Sequence, residues 1–168
     1  LINMRKFLLF LFIPITLQAQ LSNLESDMII ISCEQLLADY AIYRDHLDAD
    51  SFANTFSVDG ELILGSGSYK GRDAIRTNIT SRPAPGVAHM VLLMSSKITP
   101  QSMNEAFGIS YAVILNGNRP VLKGDSPIRM KGITSAVEYH THFINTEEGW
   151  KIARIELRSM VRGPGLAD

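Results

Sequence analysis

The apolar positions follow a helical period in the first half of the chain and an alternating, strand-like period in the second half. Leu36 and Tyr40 recur at the spacing of one helix face, which predicts a helix from Cys33 to about His46. Ser32 and Gln35 match a capping box that would begin this helix. The first half therefore opens with a long helix.

Further helices and a short hairpin are predicted before the pattern changes. Asp48 is a suitable cap for a second, short helix that carries Phe52 and Phe56 four positions apart. The remaining elements of this half are the hairpin strands Glu61–Leu64 and Ser68–Lys70 and a third helix, Gly71–Arg82.

The second half alternates apolar and polar residues over long runs, which indicates strands. Turn residues separate these runs at Thr99-Pro100, at Asn116-Gly117-Asn118 and at Glu147-Glu148-Gly149. The four predicted strands are Val87–Ile98, Ala106–Leu115, Ile128–Asn145 and Trp150–Arg158. Helices followed by antiparallel strands predict an α+β fold, in which three helices pack on the concave face of a curved, mainly antiparallel sheet. Such a sheet forms a cone against the helices, and the cone mouth is a natural ligand pocket.

Residues 1–19 have the pattern of a secretory signal peptide. Arg5 and Lys6 precede an apolar run, Phe7–Leu17, and Ala19 supplies a small residue for cleavage. The run is shorter than the roughly 20 residues that a membrane-spanning helix needs. We therefore predict export to the periplasm or the medium after cleavage near Ala19, no stable membrane span after processing, and a single domain over residues 20–168.

Composition restricts the partners and cofactors of this domain. The formal net charge of −1 argues against the strongly basic surface of a nucleic-acid-binding protein. A single cysteine, Cys33, excludes a disulfide framework within the chain and a multi-cysteine metal site. His140 and His142 would share one face of a strand, but no third ligand follows at a recognisable spacing. We expect neither a metal nor another cofactor.

The order and spacing of several motifs resemble the nuclear transport factor 2-like superfamily, especially its SnoaL-like branch. The motifs extend from about Glu34 to Met160. They are Tyr40-(x)4-Asp45-(x)2-Asp48, Phe52-(x)3-Phe56, Asp59-Gly60, the segment from Gly67 to Ile75, His89, Tyr139-x-Thr141-x-Phe143 and Gly149-Trp150-Lys151-Ile152. The resemblance implies the same α+β cone. The superfamily contains enzymes as well as binding and assembly modules, so the fold does not settle the function.

Within this resemblance, Asp45 and His89 fall where scytalone dehydratase and hexachlorocyclohexane dehydrochlorinase carry a catalytic aspartate–histidine pair. A neutral imidazole accepts a proton near neutral pH, and a carboxylate on its other nitrogen fixes the tautomer and stabilises the imidazolium. The same two residues also suit a helix-end aspartate that pairs with Arg44 and an ordinary strand histidine. Both interpretations remain open at this point.

Other positions in the resemblance depart from the known enzymes. Tyr40 matches the oxyanion tyrosine of ketosteroid isomerase, but the carboxylate base of that enzyme falls near Leu64 and its second aspartate near Thr141. The two tyrosines and second histidine of scytalone dehydratase fall at Arg44, Leu64 and Asn116. The resemblance thus implies Tyr40, Leu64, Asn116 and Thr141 as substrate-binding candidates, while the reactions of those two enzymes are not expected.

Three functions remain in competition. The first is a cofactor-independent lyase or isomerase that uses Asp45 and His89 on a small, mostly apolar molecule. The second is a module that binds such a hydrophobic molecule in the cone without turnover. The third is an assembly module that forms a homodimer through the outer sheet face, where His140 and His142 fall if Thr141 and its alternate neighbours face the pocket. Contact of Asp45 with His89 inside a deep pocket would favour the first.

Overall fold

The computed structural model describes residues 21–82, 86–119 and 130–163, so the predicted signal peptide lies outside the described residues. The helices are α1 (Asn23–His46), α2 (Ala49–Asn54) and α3 (Arg72–Thr80). The strands are β1 (Phe56–Leu64), β2 (Gly67–Lys70), β3 (Gly86–Ser102), β4 (Glu105–Arg119), β5 (Met130–Thr146) and β6 (Gly149–Arg162).

The described strands form one sheet in the order β2-β1-β6-β5-β4-β3. β1 and β6 pair in parallel, and every other neighbouring pair is antiparallel. α1 crosses the sheet in contact with β3 and β6, while α3 packs against β1 and β2. This arrangement confirms the predicted α+β fold, with three helices against a curved, mainly antiparallel sheet.

The start of α1 differs from the prediction, which placed it at Cys33. Ser22 is the N-cap: its hydroxyl accepts a hydrogen bond from the Glu25 backbone N–H, and the Glu25 carboxylate accepts one from the Ser22 N–H at 2.9 Å. The hydroxyl of Ser32 instead donates to the Met28 carbonyl inside the helix at 2.8 Å. Two serines carry capping signals in this segment, and the earlier one begins the helix because the residues between them are compatible with helical structure.

Two predicted turns are wrong because the strands continue through them. Thr99-Pro100 lies within β3 and Asn116-Gly117-Asn118 lies within β4, and the turn between these strands is at Met103-Asn104. β3 is at the edge of the sheet, where a proline is tolerated, and its register shifts just after Pro100. The turn at Glu147-Glu148 is confirmed.

Four buried aromatic rings fill the cone between α1, α2 and the sheet. Tyr40 packs on Phe52 at a ring-centroid distance of 5.0 Å, on Tyr139 at 5.8 Å and on Phe56 at 6.0 Å. The sequence analysis predicted that Phe52 and Phe56 share a helix. This is wrong, because α2 ends at Asn54 and Phe56 begins β1. The deep part of the cone is therefore packed.

Candidate functional site

Asp45 connects the last turn of α1 to the edge strand β3. Its Oδ2 accepts a hydrogen bond from the backbone N–H of Val91 at 2.8 Å. Its Oδ1 lies 3.8 Å from Nη1 of Arg44, and its side chain is only 14% exposed. Burial raises the pKa of the Asp45 carboxyl above its ordinary value, against the opposing effect of the Val91 hydrogen bond. The carboxylate is thus fixed in position and partly desolvated.

His89 lies two positions before Val91 on β3, so both side chains point to the same face of the sheet. Val91 is buried, which makes this the concave face. In the register of the sheet His89 lies directly opposite Asn116. His89 and Asn116 therefore share one end of the concave face, and Asp45 is bonded to β3 two residues from His89. Asn116 sits in a strand rather than in the predicted turn.

Tyr40 and Thr141 lie deeper in the cone. Tyr40 is on α1 and faces Tyr139 of β5, and Thr141 follows Tyr139 by two positions on the same face. All three side chains are buried, and the Thr141 hydroxyl makes no hydrogen bond within the part of the chain that the structure describes. Burial raises the pKa of Tyr40 and of Tyr139. Both phenols therefore stay protonated near neutral pH and can donate.

Leu64 lies at the end of β1, partly buried against the core. The sheet order places β6, β5 and β4 between this strand and β3, which carries His89. The pairing of strands therefore does not bring Leu64 next to the Asp45–His89 region, and its role in ligand binding stays a prediction.

Arg44 is a buried residue that the sequence interpretation gave as a possible partner of Asp45 and as a departure from a known enzyme. It continues the buried stripe of α1 formed by Cys33, Leu37 and Tyr40, and it is 8% exposed. Among the described residues its side chain makes no hydrogen bond, and its one ion-pair contact is the 3.8 Å approach to Asp45. The spacing of four from Tyr40 along this stripe is the sequence signal that marks it.

His140 and His142 lie on the opposite, outer face of the sheet, as predicted from the alternation along their strand. Nε2 of His142 is 2.8 Å from Oε1 of Glu105, and its ring stacks on Phe107 at 4.5 Å. Within the described ranges, no group of three or more His, Cys, Asp or Glu side chains is placed to hold a metal ion.

A cleft of about 510 Å³ also lies on this outer face, away from Asp45 and His89. Its lining includes three cationic side chains, Lys97, Arg154 and Arg158, together with both histidines. The two arginines bind Glu156 at 2.9 Å each. A single carboxylate therefore offsets part of the charge of the two arginines.

Comparison with protein families gives one match: a family model described as a SnoaL-like domain covers residues 31–156. No curated protein matches the chain. No described helix has the length and apolar character required to cross a bilayer.

Solved structures support the same fold at low sequence identity. An NTF2-like protein with a cystatin-like fold from Novosphingobium aromaticivorans is 22% identical, with 89% of this chain and 94% of that chain covered at a TM-score of 0.61. A protein of unknown function from Mycobacterium tuberculosis is also 22% identical, with 79% and 72% covered at 0.64. A Catenulispora acidiphila structure in complex with S-DNPA is 16% identical, with 79% and 94% covered at 0.62.

Proposed function

We propose that this protein, which belongs to the SnoaL-like domain family, is a cofactor-independent lyase or isomerase acting on a small, mostly apolar molecule. The observation that carries the proposal is the hydrogen bond from the Val91 N–H to Asp45, which holds a partly buried carboxylate beside the concave face that also carries His89. The ligand complex of a structurally similar protein supports small-molecule binding by this fold.

In this proposal His89 is the base that removes a proton from a substrate carbon. The electron pair of the broken C–H bond forms a double bond, and either a leaving group departs or an adjacent carbonyl becomes an enolate. Asp45 stabilises the imidazolium that forms. Tyr40 donates a hydrogen bond to the developing oxyanion, and Asn116, opposite His89, orients the substrate. In an isomerisation the imidazolium returns the proton to another carbon.

A kinetic comparison of four proteins tests this assignment. Small hydroxy-ketones and cyclic enones are screened for turnover by the wild type, His89→Ala, Asp45→Asn and the double variant. We expect each single variant to lose about 10²–10⁴-fold in turnover, with little further loss in the double variant, because the two residues act as one unit. His142→Ala, on the outer face, is the matched control and should keep wild-type turnover. Full turnover by His89→Ala would leave a non-catalytic binding module as the better interpretation.

The alternative function, an assembly module, is favoured by one observation on the outer face. Met90, Leu92, Met94 and Ile109 are large apolar side chains that this face leaves exposed. Apolar patches of this kind are typical of protein–protein contacts. We propose that the outer face forms a homodimer, which is compatible with a catalytic site on the concave face.

Export is proposed on the pattern of residues 1–19 alone. Mass analysis of protein recovered from the cell envelope should give a chain that starts at Gln20. A chain that retains Arg5 and Lys6 and stays in the cytoplasm would contradict this proposal.

A further inference from the structure

Arg44 carries a positive charge that the described part of the fold leaves almost without compensation. A guanidinium carries its positive charge in folded proteins even when it is buried. Its side chain is 9% exposed, and its nearest carboxylate oxygen, Oδ1 of Asp45, is 3.8 Å away, beyond hydrogen-bond distance. A buried charge with unused donors is costly unless a ligand or water satisfies it.

The surroundings of Arg44 are rich in further donors. The hydroxyls of Tyr40 and Tyr139 are buried, and each acts on the pKa of the other. The Arg44 charge acts on both phenols, since it lowers the pKa of each against the larger raising effect of burial. Arg44, Tyr40 and Tyr139 therefore form one buried polar cluster on the concave side. Asp45 is the carboxylate of this cluster, and the Nη1 donor of Arg44 remains without a hydrogen bond among the described residues.

We propose that Arg44 binds a carboxylate of the ligand, so that the natural substrate is a small organic acid with an apolar body. This inference rests on the proposed use of the cone as the ligand site. The planar fork of the guanidinium matches the two oxygens of a carboxylate, and its single charge matches a monoanion. Phe52 and Phe56 pack on Tyr40, so the surroundings of the cluster are apolar, like the body of such a ligand.

A purely structural role for Arg44 accounts for less of the geometry. A cation in the last turn of α1 interacts favourably with the helix dipole. That interaction requires only a charge near the helix end, and an exposed side chain would supply it without desolvation. It therefore does not explain why Nη1 is buried and makes no hydrogen bond within the described ranges.

Calorimetric titration with benzoate, its neutral analogue benzamide, and phenyl phosphate tests the inference. We expect the wild type to bind benzoate better than the other two probes. Arg44→Met should weaken benzoate binding by roughly 10- to 100-fold, the range for loss of a charged hydrogen bond, and should leave benzamide binding unchanged. Arg44→Lys keeps the charge but lacks the planar guanidinium, so its affinity for benzoate should lie between those of the wild type and Arg44→Met. It should fold even if Arg44→Met does not.

Two further variants separate the alternatives. Arg158→Met is the matched control, because it removes the same side chain from the outer cleft; a loss of benzoate binding there, and not in Arg44→Met, would overturn the inference. His89→Ala should keep benzoate binding, so the experiment distinguishes a failure of the Arg44 carboxylate site from a failure of the proposed chemistry. The thermal midpoint of Arg44→Met without ligand should fall, since the variant leaves the partly buried Asp45 without its ion-pair partner. A lower midpoint with unchanged benzoate affinity would show that Arg44 is structural, and equal binding of all three probes would exclude a carboxylate site.

Discussion

Oδ2 of Asp45 accepts a hydrogen bond from the Val91 N–H at 2.8 Å and so joins the end of the first helix to the edge strand of the sheet. β3 has a neighbour on one side only, and N–H groups on its other side need acceptors outside the sheet. Asp45 supplies one of these acceptors. The same bond positions the carboxylate for the proposed chemistry, so stability and function share this residue.

Replacing Asp45 by alanine and by asparagine separates the two roles. Asparagine keeps an oxygen that can accept from the Val91 N–H, whereas alanine leaves this N–H without an acceptor. We expect Asp45→Ala to be less stable than Asp45→Asn by about 1–3 kcal/mol in urea denaturation. Both variants should lose activity. Equal stability of the two variants would show that the hydrogen bond contributes little to folding.

The stability of the wild type should depend on pH through Asp45. Burial raises the pKa of this carboxyl in the folded state, so the folded protein keeps the proton to a higher pH than the unfolded chain does. The contribution of Asp45 to the free energy of unfolding is complete at pH values below the pKa of this carboxyl in the unfolded chain. It is lost as the pH rises through the pKa of the carboxyl in the folded protein. Asp45→Asn cannot ionise at this position. Its stability relative to the wild type should therefore be greater at about pH 7 than at about pH 3.5, measured by denaturation at both values.

The opposite trend, a relative loss for Asp45→Asn at the higher pH, would mean that the folded state favours the ionised carboxylate. The matched control is Asp48→Asn. Asp48 is the exposed N-cap of α2, and hydrogen bonds donated by Ser51 lower the pKa of its carboxyl. The stability of Asp48→Asn relative to the wild type should therefore fall as pH rises.

Cys33 should be unreactive in the folded protein. The thiol lies in the buried stripe of α1, and burial raises its pKa to about 12. Only the thiolate reacts rapidly with alkylating and disulfide reagents. Labelling with iodoacetamide near neutral pH should therefore be negligible until denaturant unfolds the domain, and the labelling rate should report global opening. Rapid labelling under native conditions would contradict this packing.

Gly60 should not tolerate a side chain. A Cβ atom at this position would lie 2.9 Å from the Ile152 carbonyl oxygen and 2.9 Å from Cβ of Phe56, so backbone must move to accept it. We expect Gly60→Ala to lose about 1–3 kcal/mol of unfolding free energy, the usual cost of overpacking. Gly65→Ala is the control, because a Cβ there meets nothing within 4 Å. Similar thermal midpoints for both variants would contradict the close approach of β1 and β6.

The homodimer proposed for the outer face should depend on its apolar side chains. Leu92→Glu places a charge among exposed apolar residues of β3, and sedimentation velocity should then show a monomer. Leu24→Glu is the control, since Leu24 is the same residue type and is more exposed, but lies on α1. A wild type that is monomeric at all concentrations would contradict the proposed homodimer.

Local sequence patterns determined the α+β class and most elements of the fold. Helical spacing around Tyr40 and alternation around Thr141 depend on neighbouring residues alone, and they correctly placed Tyr40 in the core and His140 and His142 on the outer face. The order of the resembling motifs identified Asp45 and His89 as candidates, and their catalytic role stays a prediction. The structure bonds Asp45 to the backbone of Val91, two positions after His89.

Tertiary structure decided the points at which a local signal had two solutions. Asn116-Gly117 is a turn signal in isolation, but β3 extends far enough to pair with it, and Asn116 therefore faces the site opposite His89. Arginine on a helix is usually exposed, but Arg44 is buried because α1 packs against the sheet. Burial depends on contacts between distant segments of the chain, and the periodicity of a single helix contains no information about what covers its end.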